Sequence, residues 1–201
     1  MKKNGRKSRD FIGLRTWEET ASPQEKALKE KTVKFDSLYF DDFNFEPNSI
    51  TGKVYDFARI ENCPPQVLNQ NRLYECTPTV IRDCRFHISE IGGDIIGNCN
   101  GWDIIIDPSC VDRPEIVLHE MIHLRINAMH DSCREILTVC LYKGLKKDIK
   151  NFEEMILDHA TAVAANYNSD LWHHGTLFFL KSLDLDKRLN LDIGTVYGYE
   201  W

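Results

Sequence analysis

The sequence predicts an α+β domain: a small antiparallel sheet leading into a series of helices. Three observations predict it. Trp102 to Asp107 is a short β-rich run stopped by Pro108. A helix start follows directly, with Asp112 as N-cap, Pro114 in the first turn and Glu115 three residues after the cap. Beyond it, residues 133–145, 152–167 and about 175–183 read as further helices.

The elements follow in chain order. Residues 1–21 read as a flexible basic arm, in which Lys2, Lys3, Arg6, Lys7 and Arg9 are placed to lie near DNA or another acidic partner. Ser22 followed by Pro23 is a helix start, and a polar helix should run through Lys34. Residues 35–79 mix aromatics with Asp, Asn and Pro and read as irregular structure with short elements. Val80 to Ile88 fits a strand, and Gly92-Gly93 and Asn98 to Gly101 are turn signals. Residues 22–201 are expected to form one domain.

Composition narrows the class. A chain of 201 residues is long enough to bury a core without staples. Its 42% hydrophobic and 28% charged residues suit a globular protein in water. A net charge of −6, from 25 basic and 31 acidic residues, argues against an overall basic surface. The seven cysteines are irregularly spaced and form no C-x-x-C pair, so buried free thiols in a reducing compartment are expected. No apolar run reaches signal-peptide or membrane-span length, so a cytoplasmic protein with no membrane partner is expected.

The chemistry is concentrated in Val117-Leu118-His119-Glu120-Met121-Ile122-His123, an H-E-x-x-H motif on a predicted helix. Residues four apart share a helix face, so His119 and His123 can address one zinc ion. Glu120 lies about 100° around the helix. From there it can take a proton from a zinc-activated water without ligating the metal. Two histidines leave a tetrahedral site incomplete, so a third protein ligand is needed.

The segment LHEMIH, preceded by the strand-like WDIIIDP, resembles the minimal zincin core of SprT-like metallopeptidases. That resemblance covers roughly residues 79–183. In that family a third histidine lies downstream in an H-G-x-x-F pattern, matched here by His174-Gly175-Thr176-Leu177-Phe178. About fifty residues separate His123 from His174, more than is usual in the family, and the extra segment reads as a helical hairpin. The resemblance implies a zinc-dependent protease acting on proteins or peptides, including ones bound to DNA. It also implies a substrate-pairing edge strand, which Ile104 to Ile106, flanked by Asp103 and Asp107, is placed to supply.

Four residues compete for the third ligand. His130 would lie about 10.5 Å beyond His123 on a continuous helix and needs a helix break to share the ion. Glu154 and Asp158 form an E-x-x-x-D pattern resembling the glutamate-ligated zincins and the ImmA-type regulatory peptidases. For His174 there is a geometric case. If one helix runs from 114 to 147 and the chain returns antiparallel, positions summing to about 298 lie level, which sets the region near 175 opposite His123. Tyr197 and Tyr199 offer hydroxyls for an oxyanion or for packing the C-terminal segment down.

The expected function is therefore zinc-dependent peptide hydrolysis, with His119, His123 and His174 as ligands and Glu120 as general base. Two alternatives stand beside it. One is an ImmA-type peptidase using Glu154 or Asp158. The other is a non-catalytic interaction protein braced by zinc, although a purely structural site has no need of Glu120.

Overall fold

A computed structural model describes residues 16–41, 84–92, 95–100, 102–127, 129, 131–165 and 174–198. Among the described residues the fold is α+β and mostly helical, with one three-stranded sheet. Helix α1 (Trp17–Thr20) falls inside the expected arm. It is docked, because the Trp17 indole Nε1 donates to the Phe86 carbonyl at 3.0 Å. Arm residues 1–15 and the strand start at 80–83 lie outside the described residues, as do residues 42–79.

Helix α2 (Pro23–Tyr39) begins as its sequence requires. Ser22 Oγ accepts from Glu25 N, and Glu25 reaches back to Ser22 N, forming a capping box. It runs five residues beyond Lys34. Its far end is held by Lys181, a buried residue far along the chain, which donates to the Tyr39 carbonyl at 2.7 Å.

Strands β1 (Arg85–Ile88), β2 (Gly97–Asn100) and β3 (Asp103–Ile106) form a sheet of order β1-β3-β2. This corrects two expectations. The stretch Asn98 to Gly101 was expected as a turn, but residues 98–100 belong to β2. The sheet is mixed, not antiparallel. β2 pairs antiparallel with β3, Asn100 facing Asp103, while β1 pairs parallel with β3, Phe86 facing Ile104. The reason is topological. The chain crosses from β1 to the far edge before the β2–β3 hairpin folds back into the middle, so β3 runs in the direction of β1.

After a 3₁₀ turn (Pro108–Cys110), α3 (Pro114–Asn127) carries the H-E-x-x-H motif. It packs on β2, β3 and α2. Val117, Leu118, Met121 and Ile122 are fully buried on different sides, which is why its apolar period is blurred in the sequence. Even Arg125 is buried, its Nε donating to Asp36 of α2 at 2.8 Å. Helices α4 (Asp131–Lys146), α5 (Phe152–Ala165) and α6 (Thr176–Leu189) follow. The continuous helix expected over 114–147 is broken between α3 and α4. Arg134 Nε donates to the Ile126 carbonyl at 3.0 Å, satisfying an acceptor at the end of α3. No described helix is long and apolar enough to cross a membrane.

Candidate metal centre

The site is built from α3, the segment that begins α6, and the turn after α6. His119 and His123 share one face of α3, four residues apart. His174 stands two residues before α6, and Phe178 lies in its first turns. The helix start therefore fixes both parts of the H-G-x-x-F segment. The Phe178 ring is buried against all three imidazoles, with centroid distances of 4.8, 4.4 and 4.5 Å to His119, His123 and His174.

The three imidazoles converge through their Nε2 atoms. His123 Nε2 lies 2.9 Å from His174 Nε2, and His174 Nε2 lies 3.2 Å from His119 Nε2. Nitrogens bound to one tetrahedral zinc stand about 3.3–3.4 Å apart, from bonds of about 2.0–2.1 Å. At His119 the ring proton is placed away from the cluster. His119 Nδ1 is 2.9 Å from the Val196 carbonyl, which only accepts, so that nitrogen carries the proton. Burial lowers the His119 pKa, which favours the neutral ring. A carbonyl that accepts from the far ring nitrogen is the usual device for aiming a histidine at a metal ion. Among the described residues, these three histidines are the group able to hold a metal ion.

Glu120 points from α3 toward β2. Its residue is buried, and desolvation pushes its carboxyl up to about 8. The closeness of β2 depends on Gly97. A Cβ there would sit 2.6 Å from Glu120 Oε1 and 3.1 Å from Ile116 Cγ2. Glu120 and His119 open into a cleft of about 330 Å³, walled by Ile95, Ile96 and Gly97 on one side and by Thr195 to Gly198 on the other.

The other candidates go elsewhere. Glu154 and Asp158 are exposed on α5 and line a different cleft, with Asp148, Lys187 and Leu191. His130, Tyr199 and the arm lysines and arginines lie outside the described residues. β3 is the central strand, not an edge, because β1 and β2 occupy its two sides. Asp103 is engaged by Arg85 Nη2 at 2.6 Å and His87 Nε2 at 3.0 Å, and Asp107 accepts from Ser109 N at 2.9 Å. Among the described residues, the edge strand beside the site is β2.

Three residues gave no functional signal in the sequence. His159, buried on α5, stacks on Phe179 and holds the His174 carbonyl, Nε2 to O, at 3.0 Å. Because that carbonyl only accepts, His159 Nε2 is the donor, and the Tyr197 hydroxyl lies 3.1 Å from the same nitrogen. Tyr197 is thus a packed residue, its ring 5.4 Å from that of His174. Val196 acts through its backbone, which no side-chain pattern reveals. Asp186 looks like one more helix acid until its partners are seen.

Comparison with family models, with characterised protein sequences and with solved structures returns no match.

Proposed function

We propose that this chain is a zinc-dependent peptidase with a minimal zincin core, similar to the SprT-like metallopeptidases. One observation carries the reading. His174 meets the His119–His123 pair with all three Nε2 atoms converging, and the buried Glu120 stands beside them at a cleft bordered by a sheet edge. A triad alone would suit a structural ion. A carboxylate beside the triad, facing an accessible cleft, suits hydrolysis.

Zinc held by the three histidines would polarise a carbonyl and lower the pKa of water to about 7. The chain's own residues do the rest. The charge of an ion held by the histidines would favour the ionised form of the Glu120 carboxyl, which burial alone pushes up to about 8, so that Glu120 can take a proton from the attacking water on a carboxylate oxygen and deliver it to the amide nitrogen of the leaving segment. The outer edge of β2 offers backbone N–H and C=O groups to an extended substrate segment, alongside Glu120. The Val196 carbonyl holds the His119 proton on Nδ1, and Phe178 keeps water from beneath the rings. The substrate class is therefore protein or peptide in extended form.

The test is metal content and casein cleavage for wild type and Glu120→Gln. The reading expects one zinc per chain in both and cleavage in the wild type only. A wild type that neither contains zinc nor is stabilised by it overturns the proposal. Bound zinc without cleavage of any unfolded protein in a broad panel points to a non-catalytic brace.

A further inference from the structure

Asp186 is out of place by every local criterion. It lies in the last turn of α6, where the helix macrodipole disfavours negative charge and where Lys187 and Arg188 are the expected residues. It is also fully buried, at 0% exposure, and burial raises its pKa. Neither the helix nor the apolar core gains from a carboxylate there.

The turn after α6 accounts for it. Asn190 takes the left-handed conformation at φ 55° and ends the helix. The backbone then turns back on residue 186. Leu191 N donates to the Asp186 carbonyl at 2.8 Å, Gly194 N donates to its Oδ2 at 2.7 Å, and Val196 N donates to its Oδ1 at 2.9 Å. Gly194, at φ 95°, permits the fold of the turn between these anchors. Both carboxylate oxygens are therefore spent on the backbone that presents the Val196 carbonyl to His119 Nδ1 at 2.9 Å.

We propose that Asp186 is a positioning residue for the metal centre: by clamping Gly194 N and Val196 N it fixes the Val196 carbonyl, and through it the tautomer and direction of the His119 ring. The inference rests on the metal-centre reading. A single neutral acceptor cannot replace it, since the turn presents two N–H donors to two oxygens. In Asp186→Asn one of those donors faces an amide N–H instead. The carbonyl is then free to drift, and the His119 ring loses its outer hold.

The experiment measures zinc affinity by competition with a chromophoric chelator, and the visible spectrum of the cobalt-substituted protein. It compares wild type, Asp186→Asn and Leu183→Ala. Leu183 is equally buried on the same helix, and its aliphatic side chain can make no hydrogen bond to the turn that carries Val196, so its variant reports general destabilisation. Asp186→Asn should bind zinc about 10–100-fold more weakly and alter the cobalt spectrum. Leu183→Ala should do neither while folded. Wild-type affinity and spectrum in Asp186→Asn overturn the inference, as does an equal loss in Leu183→Ala. Nitrogen NMR of the metal-free wild type gives an independent check that requires no variant: His119 must carry its proton on Nδ1, and a proton on Nε2 overturns the inference. If the wild type binds no zinc at all, the functional reading fails first, which is a distinguishable result.

Discussion

His123 Nε2 and His174 Nε2 lie 2.9 Å apart across a separation of 51 residues. Helices α4 and α5 lie within that interval, and α6 packs on α3, α4 and α5. The intervening chain thus leaves the site and returns to it. The returning helix is delivered at its start, where the H-G-x-x-F segment places His174 and Phe178 against α3.

That contact makes the third ligand testable. His174→Ala should reduce zinc affinity by more than about 100-fold, beyond the usual cost of an outer-shell change. Glu154→Ala and Asp158→Ala should retain zinc, since both side chains are exposed at another cleft. Zinc stoichiometry after dialysis against a mild chelator decides it. An empty Glu154→Ala beside a loaded His174→Ala would move the protein to the glutamate-ligated class.

Glu120 separates binding from turnover. Glu120→Gln should keep the fold and the zinc but lose about 10²–10⁴-fold in cleavage rate, the usual worth of a positioned general base. Near-normal turnover in this variant, with full zinc occupancy, removes Glu120 from the reaction.

Gly97 gives a prediction that the histidines do not. A methyl group at this position collides with Glu120 Oε1 at 2.6 Å. Gly97→Ala should therefore displace the carboxylate, lower cleavage sharply and cost about 1–3 kcal/mol through overpacking. Zinc content should be unchanged, because the atoms nearest the added methyl belong to Glu120 and Ile116, not to a histidine. Kinetics and chemical denaturation of one preparation check both parts. Unaltered cleavage would mean that Glu120 does not act from the position it holds under β2.

Metal removal should lower thermal stability, because the three ligands come together only in the folded chain. At free zinc about 100-fold above the dissociation constant, the stabilisation is about 2.7 kcal/mol. Differential scanning calorimetry with and without chelator measures it. His119→Ala should show no zinc-dependent shift.

Much of the local structure was legible without coordinates. Ser22-Pro23 with Glu25 specified the start of α2, since the capping box needs only residues within one turn. H-E-x-x-H put His119 and His123 on one face because helix geometry alone fixes that spacing. The match at His174 was legible as a pattern, but the continuous helix used to bring it back was wrong. The break between α3 and α4 carries His174 home by another route.

The sequence by itself determined the helix that presents two imidazoles and a carboxylate, because those relations are local and set by backbone periodicity. Only the tertiary structure decided strand order, the edge beside the site, and the service of Val196, Asp186 and His159 to the histidines. Strand order depends on where a connection crosses the sheet, so β3 became central and Asp103 and Asp107 became structural. Val196 contributes a backbone carbonyl, a group every residue has, so nothing in its side chain marks it. Asp186 and His159 gain their roles from partners in distant segments, and hydrogen bonds of that kind exist only once the chain has packed.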